Sequence, residues 1–246
     1  MKKTLFASML LLTSSLSFAS TWSVYEVQVK QSDAPAVAAA LDKFMKSDVG
    51  KSMPGGVHLN ATLFGGTSKA THAFVLLFPD LATQLDWQAS VPTTKAGQEF
   101  DASMDALATP VANWTNSMLK VWGTPSNSDR FHQVTRFYTT DPLAVLAAQE
   151  KLMSDPSMAD FPGQVGLSQT ALGNRLGANG AQTTHVFTVA YESVKEMEDW
   201  SNYLNSQPAW AEYLQTMSGF ATFMGTELVT NAAVYDAEMD LETFLK

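Results

Sequence analysis

The chain has 246 residues, no cysteine, 24 acidic and 15 basic side chains, and a formal net charge of −9 at pH 7. The absence of cysteine excludes disulfides and thiolate nucleophiles, so the fold has to depend on its hydrophobic core. The acidic balance argues against binding to nucleic acid or to anionic membrane surfaces, because both interactions require basic patches.

The N-terminus has the pattern of a secretory signal peptide. Two lysines precede the apolar run Leu5–Leu12, and Ser17-Phe18-Ala19 places small residues at −3 and −1 of a cleavage site. The apolar run is too short for a transmembrane helix. We therefore expect residues 1–19 to be removed and the protein to be periplasmic or secreted, without membrane attachment of the mature chain.

Residues 22–122 then predict one compact unit. A strand is expected over 22–30, and Asp33 is a candidate N-cap for the helix that follows. Pro54-Gly55 ends the helical region, and the strand Val57–Phe64, a Gly-rich turn and a strand at Thr71-His72 come next. A second helical region and a last strand near 116–122 complete the order β-α-β-β-α-β, which is the ferredoxin-like unit.

The same elements recur in residues 130–235, after a Pro- and Ser-rich linker at 123–129. Similarity runs at an offset of 108 in the first half of the unit and 113 in the second. The matching pairs are Asp33 with Asp141, Pro54-Gly55 with Pro162-Gly163, Thr71-His72 with Thr184-His185, and Asp86-Trp87 with Asp199-Trp200. The offset changes within a turn, where insertions are tolerated, so we infer an internal duplication.

An acidic tail, residues 236–246, follows the second repeat. If the tail forms a short helix, its apolar residues would cover a barrel edge or a partner. These residues are Met239, Leu241, Phe244 and Leu245.

One ferredoxin-like unit covers its sheet with helices on a single face, so the other face needs a second sheet. Two fused copies can supply it by packing face to face or by wrapping into a barrel. The element order, the duplication and the stretch Met197–Met217 resemble the dimeric α/β-barrel superfamily, which includes antibiotic-biosynthesis monooxygenase-like proteins. The expected fold is therefore α+β: two tandem βαββαβ ferredoxin-like repeats forming a pseudo-dimeric α/β barrel within one monomeric chain.

Alternation along Val57–Phe64 separates an apolar side from a polar side that carries His58, Asn60 and Thr62. The resemblance implies that ligands bind between the sheets, so these three residues are candidate ligand-binding residues. Arg136, in the first strand of the second repeat, would either hold an anionic ligand there or be a charge on an edge strand.

The repeated His72 and His185 are the candidate catalytic residues, as related bases or ligands in two similar pockets. Alternatively, each imidazole caps a strand or hydrogen-bonds a loop. Alternation does not tell which face of the sheet they occupy. The four histidines lack metal-ligand spacing, so we expect no metal site. No Gly-x-Ser-x-Gly motif is present, no cofactor is predicted, and the other acidic residues are interpreted as a solvated face.

Two functions remain open, and the sequence does not decide whether the protein is an enzyme. The first is a non-catalytic module that binds a small apolar or aromatic ligand or acts as a scaffold. The alternative, implied by the resemblance, is a cofactor-independent monooxygenase-like or haem-handling enzyme that uses the cavity between the sheets.

Overall fold

The computed structural model describes residues 20–123, 126, 128–173 and 182–236. Residues 1–19, which are predicted to be a signal peptide, and tail residues 237–246 lie outside this part of the chain. No helix within the described residues is long and apolar enough to cross a membrane.

The first repeat contains four strands and four helices. They are β1 (Thr21–Val29), α1 (Ala34–Met45), α2 (Asp48–Lys51), β2 (Gly56–Phe64), β3 (His72–Phe78), α3 (Leu81–Ser90), α4 (Lys95–Leu107) and β4 (Ala108–Gly123). Of the predicted caps, Asp33 makes no capping hydrogen bond, because a short 3₁₀ turn, Gln31–Asp33, leads directly into α1.

The second repeat has the same order, with a short 3₁₀ turn, Pro156–Met158, in the place of α2. Its elements are β5 (Phe131–Thr139), α5 (Pro142–Met153), β6 (Gln164–Gly173), β7 (His185–Tyr191), α6 (Val194–Asn205), α7 (Pro208–Ser218) and β8 (Ala221–Asp236). Here the Asp141 side chain does cap its helix, by accepting a hydrogen bond from the Ala144 amide.

The eight strands close into a barrel in the order β1-β3-β2-β8-β5-β7-β6-β4. All neighbouring pairs are antiparallel, and the pairs β2–β8 and β4–β6 join the two repeats. This confirms the predicted fold class, with the sheets wrapped into a barrel rather than stacked as separate layers.

The last strand of each repeat is longer than predicted. β4 pairs through residues 108–117 with β1 of its own repeat and through residues 114–123 with β6 of the other. β8 pairs through residues 221–230 with β5 of its own repeat and through residues 228–236 with β2 of the other. The prediction, near residues 116–122 and 225–231, missed the first half of β4, which pairs with β1 of its own repeat, and both ends of β8, which pair with β5 and β2. Each strand changes its neighbour partway along, and this change is not visible in the local sequence pattern.

Helices cover the outside of the barrel and form one hydrophobic core in each repeat. In the first repeat, Leu41 and Phe44 of α1 pack against Val57 and Phe78 of the sheet. In the second, Leu152 of α5 lies in the equivalent core. A third cluster fills part of the barrel interior, so the sheet is buried on both faces.

Candidate functional site

Contacts along β1 show which residues face the helices and which face the barrel interior. Ser23 accepts a hydrogen bond from Gln84 on α3, so Ser23 and every second residue face the helices. Trp22 and Val24 point the other way and pack with Trp114 inside the barrel. The same alternation assigns the inner face of every other strand.

The two candidate catalytic histidines both lie on the helix-covered face, each in its own repeat. His185 belongs to the same side of β7 as Phe187, and its ring stacks on Phe137 with centroids 5.5 Å apart. His72 has the same parity as Phe74 on β3. The barrel wall therefore separates them, and they do not meet in one site.

Each of these histidines is tied to the threonine that precedes it. Nδ1 lies 3.0 Å from the threonine Oγ1 in both His72 and His185. Burial lowers the pKa of both imidazoles. This local hydrogen bond agrees with the structural interpretation of the Thr-His pairs, whereas their catalytic role stays a prediction.

Arg136 lies at the centre of the barrel. Its guanidinium Nη1 is 2.7 Å from a carboxylate oxygen of Glu227, and Nη2 is 3.7 Å from one of Glu26. The Trp114 ring lies beneath it, with the guanidinium carbon 5.0 Å from the ring centroid. All of these side chains are buried.

Two interpretations from the sequence are wrong at this point. Arg136 is not an edge-strand charge, because the barrel is closed and β5 has neighbours on both sides. Glu26 and Glu227 are not part of a solvated face, because both point into the barrel. Alternation within a short strand does not reveal that Arg136 meets Glu227 of its own repeat and Glu26 of the other.

Glu26 and Arg136 occupy equivalent positions in the two repeats. Val27 and Phe137 pair with the two repeated histidines, so β1 and β5 correspond at an offset of 110. Glu26 precedes Val27, and Arg136 precedes Phe137. The Glu26 and Arg136 side chains meet across the barrel axis. The internal symmetry is therefore broken at its centre by opposite charges.

Polar side chains collect at one end of the barrel. β1, β2, β5 and β6 run in the same direction, because every neighbouring pair is antiparallel. His58, His132 and Gln164 lie near the starts of β2, β5 and β6 and therefore near the same end. Asn60 follows along β2 and pairs with Asn231 of β8. We call this group the polar mouth; it consists of His58, Asn60, His132, Gln164 and Asn231.

Two atoms of the polar mouth, Asn60 Oδ1 and Gln164 Nε2, are buried and have no hydrogen-bond partner within the described residues. His132 Nε2 and Asn231 Oδ1 are also buried without a partner of good geometry, although the two side chains lie close enough to interact with each other. Gln164 and His132 lie on either side of the small residue Ala190, which leaves space between them. Asn60 is only 7% exposed, whereas His58, His132 and Asn231 remain partly accessible. The group therefore runs from a solvent-facing rim to a buried amide.

His132 is an uncharged imidazole at neutral pH. Burial is the main cause that lowers its pKa to about 4, the nearby His58 adds to the effect, and a hydrogen bond with the Asn231 side chain opposes it. The five residues of the polar mouth include no carboxylate and no lysine or arginine.

The equivalent positions on the opposite side of the barrel are paired and less polar. Trp22, the counterpart of His132, donates its Nε1 hydrogen to Ser168 Oγ at 2.8 Å. Ser168 is the counterpart of Asn60, and Met118 is the counterpart of Asn231. The opposite side has one buried amide, Asn116, whose Nδ2 has no partner in the described residues, but it does not repeat the cluster of the polar mouth.

Of the predicted ligand-binding residues, the structure brings His58 and Asn60 together in the polar mouth. Thr62 is half-buried farther along β2, and Arg136 belongs to the central ion-pair cluster. Sequence reasoning missed His132 and Asn231. The alternation of His132 with Arg136 in β5 was the available signal for the first, whereas Asn231 lies at the end of the strand predicted near residues 225–231 and carries no pattern that singles it out.

A separate groove lies on the outside of the first repeat. Its cavity volume is about 540 Å³, and the equivalent groove of the second repeat has only about 40 Å³. The floor is formed by Phe44 and Phe100, whose rings stack with centroids 4.9 Å apart. The walls come from α1, α2 and α4, with Lys43, Asp48, Lys95 and Glu99 at the rim.

Among the described residues, no group of three or more His, Asp or Glu side chains is arranged to hold a metal ion.

No known protein family matches the sequence by its profile, and no curated protein matches it. Solved structures match its fold. A proposed monooxygenase from Lactobacillus acidophilus NCFM has a TM-score of 0.61 at 11% identity, over 89% of this chain and 97% of that one. A mutant chlorite dismutase from Candidatus Nitrospira defluvii has a TM-score of 0.52 at 11% identity, over 92% and 96%.

A haem-binding protein from Thermus thermophilus also has a TM-score of 0.52, at 9% identity over 92% and 95% of the two chains. Identities this low show similarity of fold alone. The chain has the dimeric α/β-barrel fold, with both halves in one polypeptide.

Proposed function

We propose that this protein is an exported, non-catalytic binding protein that holds a small uncharged polar molecule in the polar mouth. The proposal depends on one observation: buried polar atoms with unmet hydrogen-bonding capacity, Asn60 Oδ1 and Gln164 Nε2 beside the His132 and Asn231 side chains, converge at one end of the barrel. Buried polar atoms in native proteins are almost always hydrogen-bonded, to protein or to another molecule. The signal-peptide pattern at the N-terminus supports the exported location.

The unpartnered atoms define the chemistry of the ligand. Asn60 Oδ1 and Asn231 Oδ1 are acceptors, and Gln164 Nε2 is a donor. A matching molecule therefore carries both N–H or O–H donors and a carbonyl-type acceptor. A charged ligand would be disfavoured, because it would lose its hydration without meeting an opposite charge.

The same residues argue against catalysis in the polar mouth. No carboxylate is present there, and the pKa of His132, about 4, makes its imidazole a weak proton acceptor at neutral pH. Binding without turnover is the function that these groups support.

The proposal can be tested by NMR, with nicotinamide as an uncharged amide probe and benzoate as its charged counterpart. We expect nicotinamide to shift the side-chain amide signals of Asn60, Gln164 and Asn231, and benzoate to leave them unchanged. Asn60→Leu should abolish the shifts at the other two residues. Asn116→Leu is the matched control, because Asn116 is a buried inner-face amide outside the polar mouth. Equal effects of both probes, or no shift at millimolar nicotinamide, would contradict the proposal.

The second candidate function is a cofactor-independent monooxygenase-like enzyme. It is favoured by the fold similarity to a proposed monooxygenase, together with the buried His185, whose Nε2 has no partner in the described residues. A haem does not fit around this imidazole, which is 2% exposed and stacked on Phe137 in a packed core. Haem handling at His185 is therefore not supported.

The enzyme candidate is tested by measuring dioxygen uptake with anthrone as substrate. Uptake above the uncatalysed rate that is lost in His185→Ala, and retained in His72→Ala, would establish an enzyme and contradict the non-catalytic proposal. Uptake no faster than the uncatalysed rate would remove the enzyme candidate for this substrate class.

A further inference from the structure

We propose that the acidic tail, residues 237–246, docks in the outer groove of the first repeat. This contact is independent of the polar mouth, which lies inside the barrel. The groove combines an aromatic floor, Phe44 and Phe100, with a rim of charged side chains. A surface of this kind suits an amphipathic peptide segment better than a compact molecule, because it is open along its length.

The first argument is the place where the described chain ends. The last residues of β8 pack on the first repeat, where Tyr235 joins the hydrophobic core under α1. The Tyr235 hydroxyl donates a hydrogen bond to Asp42 Oδ1 on that helix, at 3.3 Å. The tail therefore begins beside α1, and α1 also forms one wall of the groove.

The second argument is reach. The tail has to cross α1, which is about 10–12 Å wide with its side chains. Ten residues span up to about 33 Å when extended. The part of the tail that contains Leu241, Phe244 and Leu245 can therefore reach the groove after crossing the helix.

The third argument is chemical complementarity. The tail carries Glu238, Asp240 and Glu242 between its apolar residues. Lys43 and Lys95 stand at the rim of the groove with side chains that are 75% and 91% exposed, and both pair with Glu99. Two ammonium groups share this one carboxylate, and each has three donors, so both can also bind a carboxylate of the tail. The apolar side chains would cover the Phe44 and Phe100 rings while the carboxylates approach these lysines.

The comparison between repeats gives the fourth argument. After β4, the chain continues through the linker into β5, and the groove of the second repeat is nearly closed. The large groove therefore occurs on the first repeat, next to the point where the tail begins, and the repeat without an adjacent tail has the small groove.

The test uses the full-length chain, which contains no cysteine. A single cysteine is introduced in the groove by Ala96→Cys, and its rate of labelling by a maleimide is measured. The matched control is Ala209→Cys, the equivalent position in the second repeat. The tail is altered in the full chain by Leu241→Ser, Phe244→Ser and Leu245→Ser together.

We expect the altered tail to speed labelling at position 96 about tenfold. This is the factor expected if the normal tail covers the groove about nine-tenths of the time and the altered tail leaves it open. Labelling at position 209 should not change. A second measurement, disulfide formation in the full-length Ala96→Cys/Phe244→Cys variant, should proceed at low protein concentration. Equal labelling rates at position 96 with both tails would overturn the proposal. Protection that grows with protein concentration would also overturn it, because the groove would then be covered by a second copy.

Discussion

Arg136 lies at the centre of the barrel between Glu26 and Glu227, and Trp114 covers one face of its guanidinium. A buried charge is tolerated only when opposite charges and hydrogen bonds replace the water that it loses. The three ionised side chains come from β5, β1 and β8 and hence from both repeats. At the scale of residues, the two halves of the chain therefore depend on each other through this cluster.

Replacing Arg136 by methionine should lower the free energy of unfolding by about 3–5 kcal/mol, because two buried carboxylates lose their main cation. Urea unfolding followed by circular dichroism measures the change. Lys120→Met is the matched control, since Lys120 pairs with Glu150 at a half-exposed site and should cost less than about 1 kcal/mol. A loss no larger for Arg136 than for Lys120 would contradict a structural role of the buried cluster.

His132 predicts a specific dependence of stability on pH. Its folded-state pKa of about 4 lies below the ordinary value of 6.5. As the pH falls from 6.5 to 4, the unfolded chain takes up a proton that the folded protein does not bind, so stability is lost in this window.

Between pH 7 and pH 5, wild-type protein should therefore lose about 2 kcal/mol more than His132→Gln. Urea midpoints of both proteins at the two pH values give this difference directly. The wild-type protein and the variant share all other titrating groups. If the free energy of unfolding changed with pH equally in both, His132 would not be the cause of the pH dependence.

At the scale of elements, the repeated Pro-Gly pair shows how packing constrains the chain. A side chain at Gly55 would place its Cβ 1.9 Å from the Leu77 carbonyl oxygen, and one at Gly163 would place it 2.0 Å from that of Ala190. These are backbone atoms of paired strands, which cannot move aside independently. The glycine is required in both repeats because the strand start touches the neighbouring backbone.

Gly55→Ala should lower the unfolding free energy by about 1–3 kcal/mol, the usual range for overpacking, and Gly163→Ala should do the same. Thermal unfolding of the purified variants measures both effects. Gly219→Ala provides the control, since the nearest atom to its added Cβ, the Thr216 carbonyl oxygen, is 3.3 Å away. If Gly55→Ala and Gly163→Ala lowered the free energy of unfolding no more than Gly219→Ala, the close backbone contact would not be the reason for glycine at the strand starts.

At the scale of the whole molecule, the barrel is a dimer-like assembly whose halves are no longer interchangeable. Two copies of the first repeat would place two glutamates face to face at position 26 without an arginine between them. This arrangement buries like charges, which is strongly unfavourable. Two copies of the second repeat would bring two arginines together at position 136, each still paired with Glu227 of its own repeat. The pairing of unlike repeats is therefore the arrangement that supplies a cation for Glu26.

The separately produced first half, residues 20–123, should therefore not form a stable symmetric barrel, because two Glu26 carboxylates would meet without a cation. Mixed in equal amounts with the second half, residues 126–236, it should form a 1:1 complex, as measured by size-exclusion chromatography with light scattering. A stable homodimer of the first half would contradict the role assigned to Glu26 and Arg136.

The sequence by itself determined the architecture, because repeated local patterns encode it. The Pro-Gly and Thr-His pairs and the shared element order were enough to predict two ferredoxin-like units and their closure over a common interior. The inward direction of His58 and Asn60 also followed from alternation along one strand, since that period is local.

The tertiary structure alone decided which residues meet, because those contacts join positions far apart in the chain. His132 and Asn231 join His58 and Asn60 only through the pairing of β2 with β8 and of β8 with β5. Likewise, Arg136 meets Glu26 only when the barrel closes. The faces of His72 and His185 were settled by helix packing, which alternation within a seven-residue strand cannot reveal.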